Sequence, residues 1–376
     1  MKRLKSIDIY RGLIIAYLIV AHTWSWGISS DYSANIVLFI IAKILYFISP
    51  EAEGFILISG VSFTLSYKNR INDIKNKDFY DYNYRQLRLR HFIRAIIVLL
   101  IGVFAYNVEQ LLFWKRIEDL WLWTIFQTLG ISTCLIWPLR KAKKVTKIAI
   151  GVSLLILYYI LFAFIDPEML TGPGDRFIIS DPLSFFYFIF YNGFIFCPIL
   201  LYFPFYLFGN VLGEILYEKS IQEETKIPDK TFTKLIAKPI LLISIPLMVI
   251  PFFLPANIFV INTYSWLLYS IGADLVLFLF LFAIEELELF KFKKEYKFFY
   301  YFSYYSLTAY LIQHFLFYLV YNKFTPLVGL LVSLLILILF FIFLKIMYMK
   351  VGIYFSLKAQ IARISTYLSK RVIKKQ

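Results

Sequence analysis

The chain has three histidines in 376 residues: His22, His91 and His314. His22 stands eleven residues after Arg11. On a helix that spacing is three turns plus about 20°, so both side chains share one face about 16 Å apart. Histidine is the side chain whose unperturbed pKa suits proton transfer near neutrality. Arginine is the usual partner of anions. One helix face therefore offers a base at one end and a cation at the other, a layout suited to chemistry that draws its two reactants from opposite sides of a membrane.

The elements that must carry these residues are membrane helices. Sixty per cent of the chain is apolar, 20% is aromatic and mean hydropathy is +0.72. About 20 apolar residues span a bilayer as a helix. Such runs predict an all-α, polytopic membrane bundle of about ten transmembrane helices, at 8–27, 51–68, 91–108, 119–138, 147–165, 192–217, 237–255, 263–285, 298–321 and 326–348. The first run lacks a small-residue cleavage site after it and reads as a retained helix. Residues 33–49 are apolar enough to span, but read better as an outer, partly embedded helix, because a crossing there inverts the charge bias of every later loop.

The net charge of +15 is mostly a topology signal. Eight Lys and Arg lie between Lys68 and Arg94, five between Arg140 and Lys147, and eight between Lys345 and Lys375. The outer connections hold only Lys115, Arg116, Arg176 and Lys323, with Lys43 in the 33–49 segment. The positive-inside rule then places both termini in the cytoplasm, and no nucleic-acid partner is needed to explain the charge. The expected organisation is one membrane domain, 1–350, followed by a basic amphipathic cytoplasmic tail, 351–376, lying along anionic lipid. Cys134 and Cys197 both fall in apolar runs and form no disulfide framework or metal motif.

Four short blocks hold polar residues within or beside the apolar runs. The first is Asp8-Ile9-Tyr10-Arg11-Gly12, closed by His22. The second is Glu53-Gly54-Phe55-Ile56-Leu57-Ile58-Ser59-Gly60. The third is Phe126-Gln127-Thr128-Leu129-Gly130, and the fourth is Ser306-Leu307-Thr308-Ala309-Tyr310-Leu311-Ile312-Gln313-His314. In these residues the chain resembles the transmembrane acyltransferase superfamily. The second block is similar to the heparan-α-glucosaminide N-acetyltransferase-like branch and to periplasmic-glucan succinyltransferases. The resemblance implies transfer of an acyl group from cytoplasmic acyl-CoA to a sugar hydroxyl or amine across the membrane. Lysosomal relatives carry a catalytic histidine in the segment after the first helix. Residues 23–50 here hold none, which leaves His22 as the substitute.

The candidate catalytic residues are His22, His314 and Glu53, which the topology puts at one depth, with Glu53 orienting an imidazole. Read blandly, each histidine is an interfacial or bundle hydrogen-bonding group, and Glu53 is an acid matched to a helix N-terminus. The candidate donor-binding residues are Arg11, Arg94, Arg90, Arg88 and Asp8. Asp8 is placed to pair with Arg11 at i,i+3, and Ser6 or Asp8 to cap the helix. Arg85 and His91 belong to the same basic run, for which ordinary headgroup contact is the competing account. Asp274, in mid-span, either lines a donor channel or bridges to Arg11 or Arg94. Gly209 and Gly213 suit close helix packing. The expectation is a multi-pass cell-membrane acyltransferase using acyl-CoA, acetyl-CoA foremost, as co-substrate and no metal. Its other partners are a glycan or glycolipid acceptor and membrane lipid, with a homodimer left open. The rivals are a transporter of a lipid-linked sugar or small anion, and a scaffold without chemistry.

Overall fold

The computed structural model describes residues 4–32, 36, 40–41, 52–75, 80–109, 111, 123–164, 171–172, 176–177, 197–222, 236–255, 263–287 and 296–374. The segment 33–49 therefore lies almost wholly outside the described residues. In chain order the helices are α1 (Lys5–Gly27), α2 (Ala52–Lys75), α3 (Tyr80–Glu109), α4 (Ile125–Leu139), α5 (Lys144–Phe164), α6 (Ile199–Gln222), α7 (Lys238–Val249) and α8 (Tyr264–Glu286). There follow α9 (Lys297–Tyr304), α10 (Ser306–Phe315), α11 (Phe317–Val320), α12 (Pro326–Lys350) and α13 (Leu357–Lys374). The described strands are β1 (Thr171–Gly172) and β2 (Arg176–Phe177), an antiparallel ladder pairing Thr171 with Phe177.

Five described helices, α1, α5, α6, α8 and α12, are long and apolar enough to cross a membrane. The other expected crossings fall on α2, α3, α4, α7 and the α9–α11 stretch, which fall short of that measure. Of these, α4 and α7 span only 15 and 12 residues. The expected span at 298–321 is broken at Tyr305 and Leu316. The first break has a physical reason. Tyr305 donates its hydroxyl to the Gly352 carbonyl at 2.7 Å, Ser356 Oγ donates to the Tyr304 carbonyl at 3.2 Å, and Thr308 accepts from Leu357 N–H at 2.9 Å. Of these, the Ser356 bond meets the Tyr304 carbonyl at the break itself, and the other two tie the residues beside it to the stretch after α12.

The chain divides into two compact units, with the boundary inside α2 between Phe55 and Ile56. In the first unit, residues 1–55 and 222–360, α1 packs against α8, α9, α10, α11 and α12. Gly12 is the point of closest approach: a Cβ there runs into the backbone of Phe299 on α9. Neither Ser6 nor Asp8 caps α1. The orphan N–H groups of Lys5 and Ser6 instead donate to the two carboxylate oxygens of Glu285 on α8, at 2.8 and 2.7 Å, an acid at the positive end of the helix dipole.

The other end of α1 is tied to the turn between α11 and α12. Asn322 N–H donates to Trp26, and Lys323 and Phe324 N–H both donate to Gly27, at 2.8–2.9 Å. Asn322 makes this possible with φ of +56°, a left-handed conformation that asparagine tolerates. Trp24 Nε1 donates to the Pro326 carbonyl at 2.9 Å.

The second unit, residues 56–221 and 361–376, is built on α2 and α6. A Cβ at Gly209 collides with the Leu57 carbonyl, and one at Gly60 with the Tyr206 carbonyl. Gly213 faces Thr64 and Val61. Close packing therefore accounts for Gly209 and Gly213. The third sequence block serves the same unit: Thr124 and Gln127 form a capping box at the start of α4, and Gly130 admits the α3 backbone at Ala95 and Leu99.

Candidate active site

The structure brings His22 and His314 together. Their ring centroids are 6.3 Å apart, although they sit on α1 and α10, far apart in sequence. Trp26, one turn beyond His22 on α1, stacks on the His22 ring at 5.0 Å. Tyr310, one turn before His314, meets the His314 ring edge-on at 5.3 Å and that of His22 at 6.5 Å. Both histidines are half-buried, while Gln313 is fully buried and places its Nε2 3.2 Å from His22 Nδ1. The lock between α1 and residues 322–326 holds these side chains in register.

Gln313 decides which nitrogen of His22 is available. Its Oε1 is buried without a hydrogen-bond partner in the orientation above. Turned over, the same amide presents Oε1 to an Nδ1–H of His22, the arrangement in which the His22 Nε2 lone pair is free. A base held in this way can take a proton from a hydroxyl or an amine. In the sequence Gln313 is one residue of the fourth block, with no role of its own.

Glu53 does not join the histidines. A Cβ added at its neighbour Gly54 falls 2.6 Å from Asp274 Oδ1 and 2.9 Å from the Tyr10 hydroxyl, and the Glu53 charge acts on both of those groups. Tyr10 precedes His22 by more than three turns, about 18 Å of helix. The expectation that Glu53 orients an imidazole is corrected accordingly: it belongs to a buried group with Tyr10 and Asp274. Asp274 is corrected as well. Its Oδ1 accepts a hydrogen bond from the Tyr10 hydroxyl and it makes no bridge to Arg11. Arg11 is instead 3.9 Å from Asp8, in the i,i+3 pairing its spacing implies, and 3.4 Å from Ser303 Oγ, which donates to Asp8 at 3.1 Å. Arg11 and His22 occupy α1 as expected, and the two ends of the helix carry separate polar groups.

An acyltransferase domain family matches residues 4–349, nearly the whole chain. The chain belongs to this acyltransferase family. No curated protein matches the sequence. The family consists of membrane proteins, and the apolar helices of this acyltransferase agree with that placement. The transporter and scaffold readings give way to the family match.

In the acyltransferase's second unit, Arg88, Arg90 and Arg94 lie on α3. Arg88 is exposed, whereas Arg90 and Arg94, one turn apart, are half-buried. Arg70 on α2 and Arg94 are both close enough for their charges to act on Arg90. Crowded like charges of this kind suit a polyanionic ligand. His91, by contrast, is enclosed: its Nε2 is 2.6 Å from the Thr133 carbonyl, and its ring lies 5.1 Å from Phe63 and 4.8 Å from Trp137. It is a packed core histidine. Among the described residues no group of three His, Cys, Asp or Glu could hold a metal ion.

Proposed function

We propose that this membrane acyltransferase moves a short acyl group, acetyl foremost, from cytoplasmic acyl-CoA to a sugar hydroxyl or amine of an extracytoplasmic or lipid-linked glycan, with His22 as general base. The grouping of His22, Gln313 and His314 carries the proposal. In the reaction, His22 Nε2 accepts the acceptor's O–H or N–H proton as the oxygen or nitrogen bonds to the thioester carbonyl. The C–S bond then breaks, and the CoA thiolate leaves and regains a proton from the imidazolium. His314 and Tyr310, beside His22, are placed to orient the acceptor. Arg11 with Asp8, in the first unit, is assigned to the donor's anionic end, while the basic run of Arg88, Arg90 and Arg94 belongs to the second unit. Transfer of labelled acetyl from acetyl-CoA to a glycan acceptor by the purified protein tests the reading, and absence of both transfer and acetyl-CoA hydrolysis under native fold overturns it.

Two further outcomes follow from the same reading. Arg11→Ala should weaken CoA binding about tenfold, the worth of roughly one hydrogen bond to a charged group, while Lys219→Ala leaves it unchanged. Calorimetry decides this, and equal affinities count against a donor path along α1. The orientation rests on the eight Lys and Arg between Lys68 and Arg94. Single cysteines in residues 69–90 should resist impermeant maleimide in intact cells and label after permeabilisation. Labelling from outside reverses the topology, and with it the side from which the donor arrives.

A further inference from the structure

A cavity of about 490 Å³ opens in the second unit where the α4–α5 connection meets the ends of α2 and α6. Its wall carries Lys68, Arg140, Lys141, Lys143 and Lys144, with Glu214 and Glu218 as its acids. Both acids are already neutralised. Glu214 receives the ammonium of Lys147 at 2.7 Å, and Glu218 receives Lys144 at 2.5 Å and Lys68 at 3.9 Å. Arg140 has no acid. Its half-buried guanidinium donates to the hydroxyls of Tyr67, at 3.2 Å, and Tyr84 and to the Trp137 carbonyl, and it lies 4.2 Å over the Trp137 ring. Every one of those partners is neutral. Lys141 and Lys143 are exposed, and among the described residues neither takes part in an ion pair. Arg140, Lys141 and Lys143 are therefore the lining cations that neither acid of the cavity meets.

Next to these cations the surface becomes hydrocarbon. Val145 lines the cavity and is 76% exposed. From it runs a stripe of exposed apolar residues along one face of α5: Ile148, Val152, Ile156 and Ile160. Their spacing of three or four residues keeps them in line along the helix, and α5 is long and apolar enough to cross a bilayer. An anionic cavity ligand and a hydrocarbon stripe, end to end, describe one kind of molecule.

We propose that this cavity is a binding site for the headgroup of an anionic phospholipid, whose acyl chains lie along the Val145–Ile160 stripe. The phosphate meets Arg140, Lys141 and Lys143, and the tyrosine hydroxyls and Trp137 ring hold Arg140 in place without neutralising it. A soluble nucleotide offers the phosphate but leaves the stripe without a counterpart. The site rests on the membrane placement of the family alone, so its failure leaves the His22 reading standing.

The test is native mass spectrometry of the detergent-purified full chain with dioleoyl phosphatidylglycerol and, in parallel, dioleoyl phosphatidylcholine. Wild type should retain phosphatidylglycerol preferentially. A cation near a lipid headgroup contributes about 1 kcal/mol, about fivefold in affinity, so Lys141→Gln with Lys143→Gln should lose about 25-fold. These lysines are exposed and make no side-chain hydrogen bond or ion pair among the described residues, so an unchanged thermal midpoint of the double variant keeps the test clear of misfolding. Arg140→Gln should lose lipid as well. Equal retention of the two lipids by wild type, or equal phosphatidylglycerol affinity in wild type and the double variant, overturns the proposal. So does displacement of phosphatidylglycerol by adenosine 3′,5′-bisphosphate, which reassigns the cavity to a soluble nucleotide.

Discussion

His22→Ala loses roughly 10²–10⁴-fold in turnover, the usual contribution of a general base, with CoA affinity nearly intact. The second half of that expectation follows from helix geometry. His22 and Arg11 are about 16 Å apart along α1, so removing the imidazole leaves the polar group of Asp8, Arg11 and Ser303 undisturbed. His22→Gln is the sharper experiment, because glutamine keeps a polar side chain beside Gln313 but cannot carry the proton. It should be as inactive as alanine. Gln313→Ala should cost less than either, and Gln313→Glu should restore much of that loss, because a carboxylate also accepts from Nδ1–H. Turnover of His22→Gln near that of wild type, in protein with matched CoA affinity, makes His22 a structural histidine and removes the centre of the proposed site.

Lys147→Met should destabilise the second unit by about 3–5 kcal/mol, the cost of leaving one partner of a buried ion pair alone. Lys147 is fully buried and donates to Glu214 Oε1 and Asn210 Oδ1, each at 2.7 Å. Asn210 in turn donates to Thr64 Oγ1 at 2.5 Å, so a single ammonium serves residues of α5, α6 and α2. The loss arises from the stranded Glu214 carboxylate more than from the missing lysine. Lys147→Met combined with Glu214→Gln should therefore recover most of it, since no charge is left uncompensated and the new amide can donate to Asn210. Unfolding midpoints in detergent–SDS mixtures measure both. A double variant no more stable than Lys147→Met shows that the ammonium contributes through packing and not through its charge.

Several of these features were legible in the sequence, and the reason differs from residue to residue. The approach of His22 to His314 followed from counting depth along two spans of opposite direction, which needs only the rise of a helix and the side of each loop. The Asp8–Arg11 pair followed from i,i+3 spacing within one element. Gln313 was not assignable, because its partner is 291 residues away and no local pattern ranks one amide above another. Glu53 fails for a related reason: α2 starts at Ala52, within a residue of the expected bound, but the groups its charge meets, Tyr10 and Asp274, are distant in sequence. The breaks at Tyr305 and Leu316 were hidden because an apolar run reads alike whether straight or interrupted. The link that makes the first break tolerable comes from residues 352–357, after the following helix. The uncompensated Arg140 was counted as one more inner charge. Composition reports that a cation is present, and only tertiary structure reports what has been placed beside it.

The clasp between α1 and residues 322–326 also bears on the order in which the protein is made. α1 leaves the ribosome before the turn that clasps its far end, which is synthesised about 300 residues later. In that interval Arg11 already has its counter-charge one turn away in Asp8, so the helix enters the bilayer with its cation offset by a residue of its own. His22 has Trp26 stacked on it one turn away, but its Nδ1 waits for Gln313. Any chain truncated before α10 can insert its first helix, but it carries a histidine that nothing has yet aimed.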